Sequence, residues 1–251
     1  MPNSDSDIEK IVKFLAASSH AIAFTGAGIS TESGIADFRS PGGIWSRYKP
    51  VLYRDFLQSE DARRQYWKMK KEGYHELKKA KPNDGHRALA RLESAGKLVA
   101  VITQNIDGLH QDAGSSRVLE LHGTNRYALC LKCDAHFEVE EIQSILEAGT
   151  EIPLCRNCGG LLKMATISFG QSLPSNVLSE AFDLASVSDL VLALGSSLVV
   201  EPAASIPLEA KNSGAKLVIV NNTGTPLDGL ADIVVNRPIG VTMSRVMERL
   251  L

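Results

Sequence analysis

The chain has 251 residues, of which 44% are hydrophobic and 22% charged, with a formal net charge of −2. That length suits one large domain, or one large and one small, around a sizeable core, and the composition is that of an ordinary globular protein. The near-neutral balance excludes a global field drawing the chain to nucleic acid or an anionic membrane, and no apolar run approaches the ~18 residues of a membrane span.

The opening Met1-Pro2-Asn3-Ser4-Asp5-Ser6-Asp7 is acidic and polar. A secretory signal is basic and then apolar, so a cytoplasmic location is expected. Apolar residues at Ile8, Ile11, Val12, Phe14 and Leu15 predict a helix over residues 8–17, with Ser6 and Asp7 as candidate caps. Ala21-Ile22-Ala23-Phe24 predicts a short buried strand running into Thr25-Gly26-Ala27-Gly28. Residues 40–81 interleave Trp45, Tyr48, Phe56, Tyr66, Trp67 and Tyr74 with charges and read as helical; the basic stretch 68–81, broken by glutamates, is expected to be a solvated helix face. Leu98-Val99-Ala100-Val101-Ile102 stops at Thr103-Gln104-Asn105. Residues 128–163 hold all four cysteines. Leu190-Val191-Leu192-Ala193-Leu194 then stops at Gly195-Ser196-Ser197, and Leu217-Val218-Ile219-Val220 at Asn221-Asn222.

Continuous apolar strands alternating with helices imply a parallel sheet covered on both faces. The expected class is α/β, a Rossmann-like doubly wound parallel sheet with a smaller inserted zinc-binding and helical domain. Residues 1–39, 82–127 and 165–251 are assigned to the nucleotide-binding domain. A helical module (40–81) and a zinc-binding module (128–164) are assigned to the small one. Ligands of such sheets bind outside the carboxyl ends of the strands. Four strand ends rich in Gly, Ser, Thr, Asn and Gln fit a polar crevice there, although ordinary turn chemistry favours the same residues.

Cys130-Leu131-Lys132-Cys133 and Cys155-Arg156-Asn157-Cys158 are two C-x₂-C knuckles with 21 residues between them. Two such knuckles complete a tetrahedral site, so Cys130, Cys133, Cys155 and Cys158 are expected to bind one structural zinc ion. Disulfides are disfavoured without a secretory signal, and a thioredoxin-like pair would leave the second knuckle without a role. Four thiolates close the coordination sphere, which excludes catalysis at the metal.

The loop Gly26-Ala27-Gly28-Ile29-Ser30 lets backbone approach a pyrophosphate, but Thr31 stands where a third glycine would complete the dinucleotide fingerprint. Glu32-Ser33-Gly34-Ile35-Ala36-Asp37-Phe38-Arg39-Ser40 follows and reads as a mobile flap.

Residues 26–40 together closely resemble the sirtuin signature, as do Thr103-Gln104-Asn105-Ile106-Asp107-Gly108-Leu109-His110 and Leu121-His122-Gly123. The cysteine pairs, Gly195-Ser196-Ser197-Leu198-Val199-Val200 and Asn221-Asn222 follow in that family's order. The resemblance implies an NAD-dependent protein-lysine deacetylase that consumes NAD as co-substrate. It would give free lysine, nicotinamide and O-acetyl-ADP-ribose. It implies that Gly26, Ala27, Gly28 and Ile29 cradle the pyrophosphate, and that Ile35, Asp37, Phe38, Arg39 and Trp45 belong to the cofactor-binding loop. Gln104, Asn105, Ile106 and Asp107 would surround the nicotinamide and its ribose. Gly195, Ser196, Ser197, Asn221, Asn222, Thr223 and Ile239 would hold the adenosine half. His122 matches the catalytic base and Asn105 its catalytic companion. Phe38, His122, Ile167, Phe169 and Val199 would line the acyl-lysine tunnel. Positioning a weak nucleophile can supply ~7–11 kcal/mol, and a neutral imidazole acting as general base a further ~10²–10⁴-fold. His110 is expected to be a structural hydrogen-bonding residue, and His20, His75, His86 and His136 to have no role in the reaction.

The chain departs from the family pattern in places. Ala36 replaces a usual proline, and residues 163–171 end in Gln171 instead of glutamate. Relatives that remove succinyl groups carry Tyr-x-x-Arg, whereas here Tyr66-Trp67-Lys68-Met69 lacks the arginine, so acetyl is expected to be preferred. The partners implied are acetylated lysines of proteins or peptides, chromatin proteins and transcription regulation included, with no direct nucleic-acid binding and no membrane. ADP-ribosyl transfer to protein is the alternative enzyme reading, and a non-catalytic NAD-sensing scaffold a third.

Overall fold

The computed structural model describes residues 4–37, 42–43, 46 and 48–251. Its larger sheet has six parallel strands: β1 (Ala21–Thr25), β2 (Ala100–Thr103), β3 (Val118–Glu120), β7 (Leu190–Leu194), β8 (Lys216–Val220) and β9 (Ile233–Val235). They lie in the order β3-β2-β1-β7-β8-β9. The order reverses direction between β1 and β7, and a crevice opens at such a switch point.

Alternation along the strands builds two cores. Ala21, Ala23, Leu190, Leu192, Leu194, Val218 and Val220 face one way. They meet Ile8, Ile11 and Leu15 of α1 (Ser4–Ala17), Leu89 and Leu92 of α4 (Asp84–Ser94), and Met243 and Val246 of α9 (Ile239–Leu250). Ile22, Phe24, Val191, Ala193, Leu217 and Ile219 face the other way, against Ala181 and Ala185 of α7 (Ser175–Val187) and Ile206 and Ala210 of α8 (Ser205–Asn212). Burial on both faces is why these strands are continuous apolar runs. The doubly wound α/β expectation holds. Helix α1 starts earlier than expected, at Ser4, which puts Ser6 and Asp7 inside its first turns, where Asp5 and Asp7 favour the positive helix end.

Two insertions share a third core. The first carries α2 (Tyr53–Gln58) and α3 (Glu60–Lys79). Ser59 caps α3, its hydroxyl accepting from the amide of Ala62 at 3.2 Å. The second insertion is an antiparallel sheet ordered β5-β4-β6, made of β4 (Gly123–Cys130), β5 (His136–Glu138) and β6 (Leu162–Thr166). It carries α6 (Val139–Glu147). Phe56, Tyr66 and Trp67 of the helical insertion are buried with Ala128, Cys130, Phe137, Ile142, Leu146 and Met164 of the cysteine-bearing one. No helix among the described residues is long and apolar enough to cross a membrane.

Candidate active site

A cavity of 670 Å³ opens at the switch point, within the ~300–1,000 Å³ of small-molecule sites. Gly26, Ala27 and Gly28 reach it from the end of β1, and Gln104, Asn105 and Ile106 from the end of β2. Gly195, Ser196 and Ser197 come from β7, and Asn221 and Thr223 from β8. Asp37, His122, Ile167 and Phe169 line it as well. A second cavity of 760 Å³ shares Ala27, Asn105 and Ile106 with the first and takes in Ile35 and Asp107.

The glycine loop lies directly on the tip of β7. The amide of Gly28 donates to the carbonyl of Gly195 at 2.8 Å. A Cβ on either Gly26 or Gly28 would come within 2.8 Å of that carbonyl oxygen. Gly195 itself has φ +67°, a conformation that L side chains rarely adopt. The Gln104 side chain spans the reversal, donating to Ser196 Oγ at 2.8 Å.

His122 stands in the turn between β3 and β4. Its Nδ1 lies 3.0 Å from the carbonyl oxygen of Gln104. A carbonyl only accepts, so Nδ1 carries the proton and Nε2 keeps its lone pair. Burial pushes the imidazole pKa below 6.5, against a smaller upward pull from the Gln104 carbonyl. The ring is therefore neutral at neutral pH, with a base at Nε2. The His122 carbonyl accepts from the amide of Ile167 at 2.8 Å, tying the turn to the residue after β6.

Beneath the loop lies a buried polar network. The Asn105 amide group donates to the carbonyl of Gly26 and to Ser30 Oγ, both at 3.1 Å. Ser30 Oγ donates to Asp107 Oδ2 at 2.7 Å, and the amide of Leu109 donates to Asp107 Oδ1 at 2.9 Å. Burial raises the Asp107 pKa, opposed by those two hydrogen bonds. His110 Nε2 lies 2.9 Å from Thr25 Oγ1, whose hydroxyl reaches Thr103 Oγ1 at 2.8 Å. That is the structural role expected of His110, and burial pushes its pKa down to about 3.

The structure also moves several residues away from the cavity. The Ile29 side chain is wholly buried in the core, and only its backbone serves the loop, its N–H donating a hydrogen bond to the carbonyl of Gly26 at 3.1 Å. Ile239 is likewise a core residue at the start of α9 and lines neither cavity. Asn222 points into solvent while Asn221 and Thr223 line the cavity. Val199 is 52% exposed because Leu198, at φ 53°, takes the buried position; Val200 lines the wall instead. Phe38, Arg39 and Trp45 lie outside the described residues.

His86 was given no role from the sequence, yet it is fully buried in the network, with Nε2 3.4 Å from Ser30 Oγ. The signal was present in Asn83-Asp84-Gly85-His86, an N-cap asparagine with an acceptor three residues on. Lys70 was also missed. It lines both cavities and donates to Asn125 Oδ1 at 2.8 Å.

The four cysteine sulfurs lie within 4.8 Å of one another. Cys130 to Cys158 is 3.5 Å, Cys133 to Cys155 3.7 Å and Cys133 to Cys158 3.4 Å. Sulfurs ~2.3 Å from a tetrahedral zinc sit roughly 3.8 Å apart, so the donor set fits. A Cβ on Gly160 would fall 2.9 Å from Cys130 Sγ and 3.2 Å from Cys158 Sγ, so the knuckle closes only over glycine.

A model of the Sir2 family matches residues 26–202. The chain belongs to the Sir2 family. Among Sir2 proteins it is 46% identical to the NAD-dependent protein deacetylase of Rhodopseudomonas palustris over 244 residues, 96% of each chain. It is 45% identical to the NAD-dependent protein deacetylase of Thermotoga maritima over 228 residues, 90% of this chain and 92% of that one. Among solved structures, Sir2 with a deacetylated p53 peptide and 3′-O-acetyl-ADP-ribose aligns at TM-score 0.92 and 43% identity, covering 97% of this chain and 98% of that one. Sir2 with a p53 peptide and NAD⁺ aligns at 0.89 and 42%, covering 96% and 98%. The sirtuin resemblance read from the motifs holds.

Proposed function

We propose that this Sir2 protein removes acetyl groups from protein lysines at the expense of NAD, releasing lysine, nicotinamide and O-acetyl-ADP-ribose. The observation that carries the reading is His122: a neutral imidazole, fixed by the Gln104 carbonyl as the Nε2 base, in the wall of a cavity at the switch point. The relatives bear the deacetylase name, which gives no support to ADP-ribosyl transfer or to a sensor without activity.

NAD would supply the ribose carbon that accepts the acyl oxygen and the hydroxyl that His122 deprotonates. The cavity wall suits it: Gly26, Ala27 and Gly28 offer close backbone to the pyrophosphate, and Gly195, Ser196, Asn221 and Thr223 small polar groups to the adenosine. Asn105, with both amide hydrogens donated to the loop, keeps its oxygen for the ribose side. Asp107, held by Ser30 and Leu109, is the partner for the carboxamide, and Ile106 the apolar neighbour. Ile167 and Phe169 are proposed to guide the acyl-lysine to His122, with the zinc ion holding the end of β4 in place. In this reading residues 1–39, 82–127 and 165–251 form the NAD-binding domain and residues 40–81 and 128–164 the small one; the bounds at 127/128 and 164/165 fall inside β4 and β6, and the shared third core supports grouping the two insertions.

Four reduced cysteines in metal-binding geometry suit a reducing compartment, so cytoplasmic acetylated proteins, chromatin proteins among them, are the proposed substrates. Mass spectrometry of an incubation with NAD and an acetyl-lysine peptide tests the assignment. O-acetyl-ADP-ribose and nicotinamide in equal amounts are expected. Adenine label fixed on protein with the acetyl group retained would overturn it.

A further inference from the structure

We infer that Lys70 is a self-modification site: its amine, in the wall shared by the two cavities, takes an acyl group from an activated acyl carbonyl. Two sources share that chemistry, an acyl thioester and the ribose ester that the proposed reaction would make. The ester source rests on the deacetylase reading above; the thioester source needs only the cavity.

The lysines of α3 differ in what they meet. Lys68 is exposed to water, and Lys71 donates to the carbonyl of Leu146 at 2.8 Å. Lys70 is part-buried and lines the space that both cavities share, together with Tyr48, Met69 and Ile106. Its amine donates to Asn125 Oδ1 of β4 at 2.8 Å, a neutral partner, and among the described residues no carboxylate pairs with it. A second amine is close. Lys163 of β6 is 1% exposed and donates to the carbonyls of Met164, at 3.3 Å, and Thr166. Both amines meet one ring, with Lys70 Nζ 5.6 Å and Lys163 Nζ 5.7 Å from the Tyr66 centroid.

Two like charges without a counter-charge are costly in so dry a place, and releasing a proton lowers the cost. Burial, and after it the charge of Lys163, push the Lys70 pKa down to about 7. Burial brings Lys163 down less far, to about 8. Tyr66 and Glu72 of its own helix, Arg126 of β4 and Asp107 beyond the end of β2 also face the two cavities. Lys163 is the charged group among these that acts on the Lys70 amine.

A neutral amine is a nucleophile, and a lysine in a desolvated pocket beside another cation is the usual way to obtain one near neutral pH. At pH 7 about half of the Lys70 amine is neutral, against roughly one part in 2,500 for a lysine at its ordinary pKa of about 10.4. Its lone pair adds to the acyl carbonyl carbon. The bond from that carbon to sulfur, or to the ribose oxygen, then breaks. The amine proton goes to the departing thiolate or alkoxide, leaving an acyl-lysine and a free thiol or ADP-ribose. The amide so formed keeps one N–H for Asn125 and carries no charge to oppose Lys163. An acyl group there would fill part of the space that the cavities share.

Site-resolved labelling of the wild-type protein tests this. In the first arm, without NAD, the deuterated acetyl thioester of N-acetylcysteamine is supplied from about pH 6 to about pH 10, spanning both pKa values. Peptide mass spectrometry follows each lysine. At pH 7 Lys70 should be acetylated at least about tenfold faster than Lys68, given its larger neutral fraction. Its rate should level off above a pH of about 7, while that of Lys68 keeps rising. The second arm supplies NAD and a peptide bearing ¹³C-acetyl-lysine. Appearance of ¹³C on Lys70, absent when NAD is left out, supports the ester source; none there overturns that source. Acetylation of Lys70 no faster than of Lys68 in either arm overturns the inference. If the second arm releases no nicotinamide, the deacetylase reading falls and the ester source with it, and the first arm decides the rest.

Discussion

Gln104 holds His122 with its main chain and Ser196 with its side chain, at 3.0 and 2.8 Å. One residue at the tip of β2 thus fixes the tautomer of the base and bridges to the tip of β7. Replacing His122 by Ala should lower kcat about 10²–10⁴-fold, the worth of a general base, with the fold retained. Steady-state kinetics alongside circular dichroism check this.

Burial, outweighing the upward pull of that contact, sets the pH dependence. The base works only when deprotonated, and burial lowers its pKa below 6.5. Activity should therefore rise with pH through an inflection below 6.5 and stay level above it. A kcat/KM profile with its acid limb centred above 6.5 would contradict this assignment.

Metal removal should be felt in stability first. The small core around Cys130 and Cys155 is modest, so the ion contributes to its folding directly. One zinc per chain is expected by elemental analysis. Chelation, or Cys155→Ser, should lower the thermal midpoint and, with it, deacetylation.

Gly195→Ala should be severe. An added Cβ would lie 2.3 Å from the Ile29 amide nitrogen and 2.6 Å from the Gly28 carbonyl carbon, both backbone atoms, at φ +67°. A loss above roughly 2 kcal/mol follows, with the nucleotide loop displaced. Urea unfolding measures the first effect and calorimetry of NAD binding the second.

Acyl preference follows from α3. Met69 supplies no guanidinium, and the adjacent Lys70 amine is held to a pKa of about 7 by burial and by Lys163, while it donates to Asn125. A partly neutral amine is a poor partner for a carboxylate. Acetyl should exceed succinyl by at least about tenfold in kcat/KM on one peptide sequence. Equal turnover would overturn this.

The central strands were legible because burial on both faces writes an unbroken apolar run, as in Leu190–Leu194. The cysteine site was legible because two knuckles leave one geometry open. The edge strands Val118–Glu120 and Ile233–Val235 were not, since three residues carry no period. His86 escaped because its partner Ser30 is 56 residues away, a pairing made by the packing of α4 under the loop and not by local pattern. Ile239 and Asn222 lay beside residues of the expected type, but strand and helix geometry turned one inward and the other to water.

Strand β4 begins one residue after His122 and ends at Cys130. A single stretch of backbone thus has the proton acceptor at one end and a thiolate anchor at the other. Whatever loosens the sulfur cluster slackens the tether of the imidazole, so a reagent aimed at thiols can silence the chemistry without ever entering the crevice.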